Sequence, residues 1–289
     1  MFDLHVHAAP DVTPRIGDDT DIATAYAAAG FDGFVLKAHH ESTVGRAAAA
    51  ARASGLDIVG GLALNRTAGG INPAAVISCL HAGGRVVWFP TADAHTQETA
   101  GLPRLADLDE RATRATLSVP PVLDERSAPI DDILHVLDLV SDFDALLCTG
   151  HLSGAECRWL IDKAKDRGVR RLLLTHPSYT VPGMQPQEIR ALAELGAYVE
   201  ITAYQLWHQP GMTDAQLAAV ALAAGERLVL SSDAGQADSP SPPEALATLV
   251  DRLARQGLDR GWLTAAASEV PQSLVLRDAD VRHILERHR

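Results

Sequence analysis

His5 and His7 flank a single valine at the end of the first apolar run of the chain. Side chains alternate across a strand, so this spacing puts both imidazoles on one face, where they can share a metal ion. Three further polar residues stand in equivalent places. His151 follows Leu146-Leu147-Cys148-Thr149-Gly150, His176 follows Leu172-Leu173-Leu174-Thr175, and Asp233 follows Leu228-Val229-Leu230-Ser231-Ser232. Any one of them could merely terminate its run. Together, four imidazoles and one carboxylate form a nitrogen and oxygen set suited to zinc or a similar divalent ion.

A denser polar cluster closes the second run, Gly33-Phe34-Val35-Leu36-Lys37-Ala38-His39-His40-Glu41. Lys37 and His39 share a face. A lysine directed into a protein interior is costly unless it meets an anion or is carbamylated. Lys37 is therefore a bridging carboxylysine, a contact for a substrate anion, or one half of an ion pair with Glu200 or a neighbour. His39 and His40 point to opposite sides if the strand persists through them, so one of the two is expected to reach the metal. Glu200, on the seventh run, is expected to accept a hydrogen bond from a metal histidine or to act as a further ligand. Arg15, Asn65, Tyr179, Tyr204 and Gln236 are the expected substrate contacts, within a rim that also includes Asp11, Arg66, Thr91, Trp207 and His208. His81, His135, His283 and His288 fall on helical segments and are read as packing or solvated residues.

The elements that must position these residues alternate. Eight short apolar runs occur at 2–7, 33–38, 57–64, 85–90, 145–150, 171–175, 197–202 and 227–232. Between and after them the pattern predicts helices near 18–29, 44–54, 72–82, 130–142, 154–167, 186–195, 212–224 and 242–256. Asn72-Pro73 and Ser241-Pro242 are helix starts, and Gly30, Gly55, Gly168, Gly196 and Gly257 are left-handed helix ends. Runs rich in Val, Leu and Ile on both faces suit strands buried between a barrel interior and an outer helical layer. The reading is an α/β fold, a single (β/α)8 TIM-type barrel spanning 1–289, either regular or distorted. All five ligand candidates then lie on its C-terminal rim, where barrel active sites are built. Two segments break the rhythm. Residues 91–129, with Thr91, Asp93, His95 and Val119-Pro120-Pro121-Val122, are too long for an ordinary loop and are read as a lid insertion. Residues 261–289, with apolar spacing at Val281, Ile284 and Leu285, are read as a helical extension packed outside the barrel.

The ordered pattern Asp3-Leu4-His5-Val6-His7, Gly150-His151, Thr175-His176-Pro177 and Ser232-Asp233-Ala234 resembles the amidohydrolase superfamily. That family carries HxH on strand one, His on strands five and six, and Asp on strand eight. The resemblance implies a metal-activated water attacking a carbonyl or phosphoryl centre, with Asp233 both touching the metal and moving the proton. The family's bridging lysine or glutamate on strand four is not evident in 85–90, so one or two ions are equally compatible. Residues 33–45 and Gly60-Gly61-Leu62-Ala63 are also similar in outline to the polymerase and histidinol phosphatase (PHP) family. They depart from it at Ala63 and Asn65, where an acidic bridge is expected, and at Gly235, where a histidine is expected.

Composition narrows the class. Apolar residues make up 47% of the chain and charged residues 21%, ordinary for a large buried core, and the formal charge is -12. An acidic chain without clustered Lys and Arg excludes nucleic-acid binding. No apolar run reaches the length of a membrane span and no basic leader precedes the first strand, so a cytoplasmic protein without a membrane partner is expected. Cys79, Cys148 and Cys157 show no paired spacing and are read as reduced core residues. The expected function is a hydrolase of a C–N or C–O bond (amide, cyclic amide, lactone or ester) in a small molecule, using zinc, or else manganese or iron. A PHP-type phosphoesterase and a metal-dependent decarboxylase or hydratase are the alternatives, and assembly into a homo-oligomer is left open.

Overall fold

The computed structural model describes residues 1–115, 121–122 and 129–276. Eight strands, β1 (Phe2–Val6), β2 (Gly33–Leu36), β3 (Asp57–Ala63), β4 (Val86–Trp88), β5 (Leu146–Cys148), β6 (Leu172–Leu174), β7 (Tyr198–Thr202) and β8 (Leu228–Ser231), pair in sequence order. Every ladder is parallel. A parallel bridge between Val6 and Ala234 closes the sheet, giving the (β/α)8 barrel expected from the runs.

The helices expected between strands are α1 (Asp19–Ala28), α2 (Val44–Ser54), α3 (Pro73–His81), α6 (Ile130–Asp142), α7 (Gly154–Asp166), α8 (Pro186–Glu194), α10 (Asp214–Ala224) and α11 (Pro242–Arg255). Their ends follow local chemistry. The Asn72 side chain accepts from the amides of Ala74 and Ala75, and Gly30, Gly55, Gly168, Gly196 and Gly257 all have positive φ.

Side chains sort into two layers. Phe2, Leu4, Val35, Trp88, Leu146, Cys148, Leu173 and Val229 fill the barrel interior. Val6, Phe34, Leu36, Leu147, Leu174 and Ile201 face the helices. The three cysteines are buried and free. No helix among the described residues is long and apolar enough to cross a membrane.

Several strands are shorter than their runs, and this changes the reading at the site. Pairing stops at Leu36, Cys148 and Leu174, before Lys37, His151 and His176. The 91–129 segment contains α4 (His95–Thr99), a 3-10 turn at Leu105–Asp107 and α5 (Glu110–Ala115), while α9 (Gln205–His208) follows β7. The described part of the tail, 261–276, reaches into the barrel. Beyond α12 (Arg260–Ala266), the end of α13 (Glu269–Val275) and the residue after it place Leu274, Val275 and Leu276 in the interior cluster instead of on the outside, so they plug the N-terminal mouth. Arg171 fastens this plug by donating to the carbonyls of Ser273 and Leu276. Val281, Ile284, Leu285, His283, His288, Val119 and Pro120 lie outside the described residues.

β1 is irregular where it matters. Its register with β2 shifts between Asp3 and Val6, a bulge that places Leu4 in the interior cluster and still leaves His5 and His7 on the site side. Buried Asp3 supports the bulge. Oδ1 accepts from the amides of His5 at 3.1 Å and Ser232 at 3.0 Å, and Oδ2 accepts from the Tyr26 hydroxyl at 2.6 Å.

Burial outweighs these hydrogen bonds and pushes the Asp3 carboxyl up from 3.8 to about 6. The folded chain therefore favours the protonated form, and that stability is present below about pH 4 and lost as pH rises through about 6. Asp3→Asn retains an acceptor for both amides and cannot ionise. Between pH 5 and pH 8 it should lose less unfolding free energy than the parent, by about 1 kcal/mol. Urea denaturation at the two pH values checks this, and equal losses in both proteins would contradict it.

Candidate metal centre

The seam between β8 and β1 builds the tightest part of the site. Asp233 donates its amide to the His5 carbonyl at 2.8 Å, and His7 donates its amide to the Ala234 carbonyl at 2.9 Å. Those backbone bonds bring Asp233 Oδ1 to 3.0 Å from His5 Nε2 and 3.2 Å from His7 Nε2. The ligand atoms of His5, His7 and Asp233 lie within 4.8 Å of one another, all on buried residues. His176 Nε2 is 4.0 Å from the second carboxylate oxygen, Asp233 Oδ2. The His151 ring lies 5.0 Å from that of His176, and the His39 ring lies 5.0 Å from that of His7. The arrangement is a close triangle with a second histidine group beside it.

Neighbours fix which ring nitrogen is available. His5 Nδ1 lies 3.2 Å from Glu200 Oε1, His39 Nδ1 lies 2.8 Å from Thr91 Oγ1, and His151 Nδ1 lies 3.0 Å from Gln97 Oε1. Each contact leaves Nε2 to meet a metal, the arrangement in which outer partners orient imidazole ligands. Glu200 is itself held by the Ser231 hydroxyl at 2.6 Å and the His176 amide at 3.1 Å. Burial holds the imidazoles of His5, His7, His39 and His151 well below their usual value, and that of His176 at about 4. Neutral imidazoles are the form that binds metal. His7 Nδ1 and His176 Nδ1 are buried without a partner among the described residues. This donor set fits a divalent ion.

Two backbone positions are shaped for the site. His176 and Asp233 have φ of 26° and 49°, and with Asp144 they are the non-glycine residues in the left-handed region among the described residues. Such strain persists only where surrounding contacts over-determine it. Gly235, with φ of 126°, packs so closely that a Cβ there would lie 2.0 Å from the His7 carbonyl oxygen. A histidine cannot occupy that position, so the PHP-type ligand after Asp233 has no place in this chain.

The remaining expected residues divide. Arg15, Lys37, His39, His40, Tyr179, Tyr204 and Gln236 line one cavity of about 250 Å³ together with His7, His151, His176 and Asp233. His39 and His40 both face it, because the strand has already ended at Leu36 and alternation no longer applies. Lys37 is buried, with Nζ 3.0 Å from His5 Nε2 and 5.8 Å from the Trp88 ring centroid. It makes no ion pair with Glu200, and desolvation lowers its affinity for a proton. Asn65 is not among the lining residues. Its amide group donates to the His39 carbonyl and to Thr91 Oγ1, and its Oδ1 accepts from the amides of Thr91 and Asp93, so it ties together the loops after β2, β3 and β4. Glu200 lies beneath the cavity and does not line it. Trp207 and Arg66 are also outside it, while His208 stacks on Tyr204 at 4.3 Å.

Sequence reasoning missed Gln97, which holds His151, and the apolar wall of Leu102, Pro103, Leu105 and Leu108. All come from the 91–129 segment, whose length was the only signal.

The first 200 residues match the model of DUF6282, a family of unknown function, and the chain belongs to that family. No curated protein matches the sequence. Among solved structures, the chain is similar to a TatD homologue from Escherichia coli K12 (15% identity, 94% of this chain and 97% of that one, TM-score 0.54). It is also similar to a mutant organophosphorus hydrolase from Deinococcus radiodurans (16%, 95% and 92%, 0.57). A third is a beta-aspartyl dipeptidase from Fervidobacterium islandicum (14%, 95% and 72%, 0.56). At these identities the likeness is one of fold.

His176→Ala should leave the barrel folded, because rim ligands contribute little to core packing, while lowering the metal bound per chain by at least half. Elemental analysis beside circular dichroism checks it. Undiminished metal in the folded variant would remove His176 from the ligand set.

Proposed function

We propose that the chain is a metal-dependent hydrolase that cleaves a C–N or C–O bond (amide, cyclic amide, lactone or ester) of a small molecule with a metal-activated water. The observation that carries the reading is the placement of one buried carboxylate, Asp233, against both strand-one histidines at the floor of a cavity. The names of the structural neighbours, a hydrolase and a dipeptidase among them, support the reaction class and not the substrate. Zinc is the first choice for His and Asp donors, with manganese or iron as the other fitting ions, and the two histidine groups suit one ion or two.

His5, His7 and Asp233 would hold one ion, and His151 and His176, with His39 or His40 beside them, would complete its shell or hold a second. A divalent ion there would lower the pKa of a water toward about 7 and polarise the scissile carbonyl. Asp233 does the proton work. Beside the ion it would take a proton from the attacking water and return it to the leaving group. Glu200 keeps the His5 ring in the tautomer that presents Nε2. Arg15, Tyr179, Tyr204 and Gln236, on the cavity wall, would orient the substrate. Lys37, which meets no carboxylate among the described residues, retains two roles, a carbamylated bridge between two ions or a contact to a substrate anion.

Asp233→Asn should keep most of the metal, since the histidines remain, and lose about a hundredfold or more in kcat, the usual size of an acid-base contribution. Turnover of activated esters, lactones and amides, read with metal content on the same preparation, decides it, and near-parental turnover would assign the base elsewhere. Lys37→Ala should change either metal stoichiometry or kinetics. Both unchanged would leave Lys37 a packing residue.

A further inference from the structure

The chain carries a net charge of -12, yet Asp233 is the sole carboxylate among the residues lining the cavity, against the guanidinium groups of Arg15 and Arg104. A cleft whose charge opposes that of the whole molecule concentrates ligands of the opposite sign. The two arginines differ. Arg104 faces two carboxylates, Glu98 at 2.7 Å and Asp107 at 3.2 Å. Arg15 faces one. Its Nε and Nη2 both donate to Asp11 Oδ2, while Asp11 Oδ1 accepts from the Val12 amide, so Asp11 anchors the loop as well as the guanidinium. Arg15 Nη1 meets no acceptor among the described residues, although its side chain is only 4% exposed. That nitrogen is not among the buried side-chain atoms without a partner, so it opens onto the cavity that Arg15 lines and is available to a ligand.

The backbone puts this group beside the metal set. Arg15 bridges Gln236, and the Ile16 amide donates to the Gly235 carbonyl at 2.8 Å, so the Arg15 loop is stitched to the turn that carries Asp233. Above it the cavity wall is apolar. Val12 and Leu108 line the cavity while remaining 46% and 59% exposed. Exposed aliphatic groups at a cavity mouth favour an apolar substituent on the ligand.

We propose that the substrate is a small carboxylate with an apolar tail, its carboxylate held by Arg15 away from the bond that is cut. This deepens the hydrolase reading and rests on it. Asp11 offsets part of the Arg15 charge, which suits a singly charged planar carboxylate better than a dianionic phosphate.

The test uses the zinc-loaded protein and three probes of equal chain length, hexanoate, hexanamide and hexyl phosphate, titrated by calorimetry. Hexanoate should bind about tenfold or more tightly than hexanamide, and Arg15→Gln should cut that preference about tenfold while retaining its zinc. The metal's own attraction for carboxylates is common to both proteins and cancels in the comparison. Asp11→Asn, which removes the competing charge and keeps an acceptor, should tighten hexanoate severalfold, a gain that misfolding cannot imitate. Equal binding of hexanoate and hexanamide, an undiminished preference in Arg15→Gln, or hexyl phosphate binding more tightly than hexanoate would each overturn the proposal. Zinc titration on the same preparation judges the hydrolase reading separately. A chain that binds no zinc would sink that reading, while the Arg15 comparison could still be made on the metal-free protein.

Discussion

Backbone hydrogen bonds across the β8–β1 seam bring His5, His7 and Asp233 together as one group able to hold a metal. Asp233 and His7 each donate an amide across the seam, and Asp3 receives the amides of His5 and Ser232 on one carboxylate oxygen. Because the β1 bulge displaces the strand-one ladder locally, the Asp3 carboxylate supplies acceptors where the shifted register offers none. Gly235 completes the seam, since any Cβ there would collide with His7. The positive φ of Asp233 is held by these contacts, and its side chain is carried to the two imidazoles.

Burial then sets the chemistry. A row of imidazoles in a water-poor cavity cannot all be protonated, so desolvation keeps them neutral and ready to donate lone pairs. The same desolvation raises the carboxyls of Asp233 and Glu200. The roles separate by access. Asp233 lines the cavity, whereas Glu200 is enclosed by His5, Ser231 and the His176 amide.

The barrel and the gathering of the candidate ligand residues on one rim were legible in the sequence because both follow from short-range rules. Apolar runs of strand length alternate with capped helices, and polar residues at run ends fall on one rim. What depended on tertiary detail was not legible. His39 and His40 could not be assigned to a face, since the answer turned on the strand ending at Leu36. Asn65 carries the chemistry of a substrate contact but lies behind the wall, with its donors and acceptor engaged by neighbouring loops. The periodicity that suggests an outer helix in the tail lies at Val281, Ile284 and Leu285, outside the described residues, and nothing local signals that Leu274 to Leu276 would turn into the barrel mouth. Gln97 has no motif at all, and only the fold brings it to His151.

X-ray absorption at the zinc edge of the loaded protein tests the central claim most directly, because it reads the donor atoms themselves. The account predicts a shell of nitrogen and oxygen only, at about 2.0–2.2 Å, with imidazole outer-shell scattering from at least two histidines. A sulfur shell near 2.3 Å, or a hydrated ion without imidazole scattering, would contradict it.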